Sequence, residues 1–158
     1  MNTMVEYCNG SSSPKKEIIF YFHNKGTSKW TKDWRDKKDV PFTYSYVLYW
    51  RKYLEYFTIE RPHLCLDKLL LSSEDYTTCG PNYHDGAGPN QRQITEHYSG
   101  NFFAATCEHI NHLEPISTNE TSYTATEMWI VGSTWKGKPA KLTTNFKKLY
   151  RNLVLPEK

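Results

Sequence analysis

The sequence predicts an α/β protein in which a mostly parallel sheet is flanked by helices, and three stretches carry that reading. "EIIFYF" (17–22) is a short apolar run closed by the turn residues "HNKG", the pattern of a strand buried on both faces, as parallel strands are. "TYSYVLYWRKYLEYFTIE" (43–60) places Val47, Trp50, Leu54 and Phe57 three and four residues apart, which sets them on one face of a helix. "ITEHYSGNFFAATCEHINHL" (94–113) reads as a strand, a tight turn and a helix that begins near Ala104 and runs to Leu113. Strands alternating with helices give the α/β class.

The remaining elements follow in chain order. Residues 1–16, ending in "CNGSSSPKK", are small and polar and form a flexible N-terminal segment; one domain fills 17–158. After the first strand, Gly26 in "NKG" can take the positive φ of a turn. Pro62 suits the first turn of a second helix that reaches about Ser72. "YTTCGPNYHDGAGPNQ" (76–91) is dense in Gly, Pro and Asn, so a short strand there gives way to an exposed loop. "TATEMWIVG" (124–132) is a short helix behind an N-cap from Asn119 or Thr121, and the amphipathic "TTNFKKLYRNLVL" (143–155) closes the domain. Only about three strands can be counted, fewer than a doubly wound sheet contains. The first strand–helix units of a full domain are therefore expected to be missing.

Composition narrows the function classes. A chain of 158 residues can hold one real core, and its 12 Tyr, 7 Phe and 5 Trp make much of the buried surface aromatic. Such rings fill a core or stack on sugars and bases. The net charge is +3, no run of five like charges occurs, and "KKLYR" (147–151) is the one basic stretch interleaved with an aromatic, so nucleic acid is not an expected partner. Neither C-x-x-C nor D-x-D occurs, and His23 has no second ligand at zinc-like spacing, so no metal site is expected. The widely spaced Cys8, Cys65, Cys79 and Cys107 read as reduced, buried thiols. No segment approaches the roughly 18 apolar residues of a membrane span. A soluble, cytoplasmic protein is the expectation, in which the sequons Asn9-Gly10-Ser11 and Asn119-Glu120-Thr121 would have no use.

Three polar clusters sit where ligands bind α/β sheets, beyond the carboxyl ends of strands. His23 and Lys25 follow the first strand; lysine offers a point charge to a phosphate, and histidine a donor to a phosphate or sugar oxygen. In "HYSGNFF" (97–103), Gly100 would let a backbone approach a ligand, while Ser99 and Asn101 offer a hydroxyl and an amide. Alternatively one of those two caps the following helix. Glu127, beside Trp129, is a carboxylate that partial desolvation would fit for proton transfer, or else an exposed helix residue.

Together, "IFYFHNKGTSKW", "WRKYLEYF", "YTTCGPNYH", "HYSGNFFAATCEHINHL" and "TATEMWIVG" resemble a family of glycosyltransferase-like domains of surface-polysaccharide and glycan-building proteins, including those of large algal viruses. Its members look like "HxKG…S", "WRxxMEYF", "HxSGNFWWA" and "AExWI", and the likeness spans roughly residues 17–132. Phe102-Phe103 stand where the family has two tryptophans, and the arginine often found ahead of "AE" is absent from "ETSYTATE". The resemblance implies a Rossmann-like fold and transfer of a sugar from a nucleotide sugar to a glycan acceptor. It implies Glu127 as base, His23 and Lys25 at the donor diphosphate, and His97, Ser99, Gly100, Asn101 and Phe102 around the sugar. A shortened, non-catalytic glycan-binding module is the other reading.

Overall fold

The computed structural model describes residues 2–22, 40–85, 96–115, 128–132 and 137–143. Among the described residues, four strands form the main sheet: β1 (Ile18–Tyr21), β2 (Tyr76–Pro81), β5 (Phe103–Thr106) and β6 (Lys138–Thr143), in the order β1-β5-β2-β6. β3 (Tyr83–His84) and β4 (His97–Tyr98) form a separate two-stranded ribbon. The α/β class holds, but the sheet is mostly antiparallel. β5 runs against both β1 and β2, and β2–β6 is the parallel pair.

The expectation of a mostly parallel sheet fails at two places. β1 is half-buried along its whole length and, among the described strands, lies at the sheet edge. Moreover, the stretch after the "SGNF" turn is not yet helical. Phe103–Thr106 is an interior strand, and helix α4 (Cys107–Asn111) starts only after it. The reason lies in what the strand separates. Phe103 and Ala105 pack with Tyr98, Cys107 and Ile110 in one layer of the core. Ala104 packs with Cys65, Cys79 and Ala140 in the other. Small residues fit a strand buried on both faces, and such a run has no period to distinguish it from a helix. Thr106, not Ser99 or Asn101, caps α4, its Oγ1 accepting from the His109 backbone N–H at 3.1 Å.

The helical expectations after residue 40 fare better. Helix α2 (Val40–Glu55) continues into a π-helical turn, Tyr56–Glu60, and turns its expected face inward: Leu54 is fully buried and Val47, Trp50 and Phe57 are half-buried. Pro62, with φ −61°, then opens α3 (His63–Leu66), which continues as a π-helical turn, Asp67–Leu71. Pro139 sits in β6, an edge strand, where a missing N–H is tolerated; the same proline hid this strand from a reading of local pattern.

The N-terminal segment contains a helix instead of a loop. α1 (Asn2–Asn9) rests on α4 through a Cys8–Cys107 disulfide, and the Asn111 side-chain amide donates to the Cys8 carbonyl at 3.1 Å. A second disulfide, Cys65–Cys79, ties α3 to β2. All four cysteines expected as thiols are thus paired. Their sequence separations, 99 and 14, correspond to no spacing motif, because the fold and not the local chain brings them together. Among the described residues no helix is long and apolar enough to cross a membrane. The segment 144–155 lies outside the described residues.

Candidate functional site

Strand directions gather several chain ends at one end of the sheet. Tyr21 pairs with Phe103, so the carboxyl end of β1 meets the start of β5. β2 and β6 run in parallel and finish together, Pro81 opposite Thr143. Gly80 lies so near the turn before β5 that a Cβ there would stand 2.7 Å from the Phe102 carbonyl. The Ser99–Phe102 turn therefore sits beside the carboxyl ends of β1, β2 and β6.

That turn interrupts one long antiparallel ribbon. Cys79 pairs with Ala104 in the sheet, and Tyr83 pairs with Tyr98 in the smaller ribbon. Residues 80–82 connect these pairs on the outgoing chain, while residues 99–103 connect them on the return. The return chain thus has two residues too many for continuous pairing, and the excess folds out as an enlarged bulge. It is held by the Ser99 N–H donating to the Asn82 carbonyl at 3.1 Å and the Asn101 N–H donating to the Tyr98 carbonyl at 3.0 Å. Three positive φ angles shape it: Asn82 at 55°, Gly100 at 99° and Asn101 at 59°. Asparagine accepts this conformation better than other residues with a Cβ.

Each expected sugar-site residue now has a place. Gly100 is buried, and a Cβ there would lie 2.6 Å from Leu54 Cδ1 and 3.4 Å from Trp50. The close approach that demands glycine is to helix α2. Ser99 is half-buried. Asn101 is 1% exposed, and its side-chain carbonyl oxygen is buried without a hydrogen-bond partner. Phe102 is also 1% exposed, with its ring 6.4 Å from that of Phe22, which is 53% exposed. Among the described residues, Phe22 is thus a ring exposed to solvent at this end. His97 belongs to the ribbon, where its ring stacks on His84 with centroids 4.9 Å apart.

His23, Lys25 and Glu127 lie outside the described residues. Their chain neighbours do not: Phe22 packs as above, and Trp129 Nε1 donates to the Glu114 carbonyl at 2.7 Å. Among the described residues, no group of three or more His, Cys, Asp or Glu side chains converges as metal ligands would.

Two buried polar groups that the sequence did not single out anchor the core beneath the turn. The Tyr98 hydroxyl stands 3.1 Å from Thr78 Oγ1 and donates to the Ala140 carbonyl at 3.4 Å, and burial raises its pKa. His109 Nε2 donates to the Ile130 carbonyl at 2.6 Å, which fixes the neutral tautomer. Burial pushes this imidazole below its ordinary range; the Ile130 bond opposes the shift and neighbouring His112 adds to it. Gly137 keeps the space beside it open, since a methyl there would collide with Thr77 Oγ1 and His109 Nδ1. Spacing could not reveal either group, because each partner comes from a different strand or loop.

The turn thus holds a buried, unmet acceptor, the Asn101 amide oxygen, and the exposed ring of Phe22 lies beside its Phe102 ring. No protein-family model, curated protein or solved structure matches this chain.

Proposed function

We propose that this protein is a glycosyltransferase that moves a sugar from a nucleotide-sugar donor to a glycan acceptor, with the sugar seated at the Ser99–Phe102 turn. The observation that carries the reading is Asn101: a buried amide oxygen with no partner, held by backbone in a rarely populated conformation. An unmet buried acceptor costs about 1–3 kcal/mol, and a sugar hydroxyl is a donor that would meet it once the turn opens to admit a ligand. Phe22, exposed nearby, supplies a ring for the apolar face of a sugar.

The resemblance supplies the remaining roles. Glu127 takes the proton of the acceptor hydroxyl, whose oxygen attacks the anomeric carbon as the bond to the donor phosphate breaks. Lys25 and His23 neutralise the departing nucleoside diphosphate.

Thermal shift against a panel of nucleotide sugars, with and without manganese, tests the reading. The expected result is stabilisation by one nucleotide sugar, lost in Asn101→Gly and in Lys25→Ala. Glycine is chosen because it tolerates φ 59°, so Asn101→Gly should stay folded while losing the ligand. No response to any nucleotide sugar from the folded protein would overturn the donor site. The second reading, a non-catalytic glycan-binding module, draws on the mostly antiparallel four-stranded sheet, which is unlike a doubly wound parallel one. Glu127→Gln separates the two: a transferase loses turnover and keeps its ligand, whereas a module keeps all it had.

A further inference from the structure

The cysteine pairing and one sequon point to a covalent modification unrelated to sugar transfer by this chain. All four cysteines are buried and joined in two disulfides, with none left free. Thiol-reducing systems of the cytosol keep such pairs open, and oxidising compartments close them. In the oxidising compartment of a secretory pathway, an Asn-x-Ser/Thr tripeptide without proline in the middle is an acceptor for N-linked glycosylation. Asn9-Gly10-Ser11 has that form.

Its setting suits the modification. Asn9 is the last residue of α1 and is exposed, as is Gly10 after it. The helix ends there in a turn, with the Gly10 N–H donating to the Tyr7 carbonyl and the Ser11 N–H to the Cys8 carbonyl, both at 3.1 Å. Tyr7, on the other side of Cys8, is 58% exposed, whereas Cys8 itself points into the core and is bridged to Cys107. Cys8 and Val5 hold this helix to the core while Asn9 and Gly10 face outward, so a glycan on Asn9 would project into solvent from a fixed point. Timing favours it too. Cys8 and its partner are 99 residues apart, so the segment remains unbridged and accessible until Cys107 has been made.

We infer that the protein folds in an oxidising compartment and carries an N-linked glycan on Asn9. In the reaction, Asn9 Nδ2 bonds to the anomeric carbon of a lipid-linked oligosaccharide diphosphate. The carbon–oxygen bond to phosphate breaks, the amide loses one proton, and the lipid diphosphate leaves. The inference stands whether or not the protein binds a nucleotide sugar.

The test uses the full chain isolated from its own source, alkylated, digested without reduction and treated with peptide-N-glycosidase in heavy-oxygen water. Mass spectrometry should find the Cys8 and Cys107 peptides linked, and Asn9 converted to heavy-oxygen-labelled aspartate. Unlabelled Asn9 in a disulfide-linked peptide, or label on Asn119 alone, would overturn the glycan assignment. Four alkylated cysteines would overturn the compartment as well. In secreted expression, Asn9→Gln and Ser11→Ala should each remove the same mobility shift, while Cys107→Ser should retain it. A shift that survives in the first two variants counts against Asn9.

Discussion

Replacing Gly100 with alanine tests whether the turn is fixed by helix α2. Two penalties add at this position. The φ of 99° lies where L-residues rarely go, at a cost of about 1–3 kcal/mol. The new methyl would stand 2.6 Å from Leu54 Cδ1, and overpacking of that kind costs about 1–3 kcal/mol more. Leu54 cannot swing away easily, because it is fully buried. The sum, about 2–6 kcal/mol, is a large part of the roughly 5–15 kcal/mol that stabilises a typical domain. Urea unfolding followed by tryptophan fluorescence, with the disulfides intact, should show a lowered midpoint at unchanged slope. The double variant with Leu54→Ala separates the two penalties. Leu54→Ala alone should cost about 2–5 kcal/mol, but in combination it removes the clash, so the double variant should fall short of additivity by about 1–3 kcal/mol. A Gly100→Ala protein within about 0.5 kcal/mol of the parent, additive with Leu54→Ala, would refute both the strain and the contact.

Further outcomes follow from the core. Because burial lowers the His109 pKa, the unfolded chain binds its proton first as pH falls. The stability held by neutral His109 should thus be full above about pH 6.5 and decline below it. Midpoints measured across that range should fall less steeply in His109→Gln, and an unchanged slope would exclude the assignment. Removing the Cys8–Cys107 bridge, which spans 99 residues, should cost about 4–5 kcal/mol, against about 3 kcal/mol for Cys65–Cys79, which spans 14. Paired Cys→Ala variants in a denaturant titration would show the reverse order if chain closure is not what matters. Tyr98→Phe takes the hydroxyl from Thr78 Oγ1 and the Ala140 carbonyl. It should cost about 1–2 kcal/mol, and an unaltered midpoint would mean the bonds contribute nothing net.

How far the sequence revealed this molecule depends on the range of each interaction. Helix α2 was legible because Val47, Trp50, Leu54 and Phe57 repeat at helical spacing, and a helix needs no distant partner to declare itself. The start of α3 was legible for a similar reason, since Pro62 favours that position on its own. β5 was not, because "FAAT" has no alternation and its strand character comes from being enclosed by β1 and β2. α1 was hidden by its composition; one buried disulfide, with a partner 99 residues away, anchors it. At the candidate site, "HYSGNFF" announced a polar turn at a strand end. Neither the contact between Gly100 and Leu54 nor the unmet Asn101 oxygen could be inferred, as both depend on how α2 and the ribbon meet.

The mismatch between the two halves of the ribbon has a meaning for how such a site could be rebuilt. Pairing on either side of residues 99–103 is self-sufficient: Thr78 and Cys79 keep their partners in the sheet, and Tyr83 and His84 keep theirs beyond it. The turn is consequently an insert between two fixed registers, with Gly100, Asn101 and Phe102 committed to the interior and Ser99 half-buried. Two residues of surplus chain are enough to present a new amide or hydroxyl without shifting a strand by one position, which would reverse every face. Within the insert, Ser99 is the position that carries neither a positive φ nor full burial, so substitutions there should leave both registers as they are.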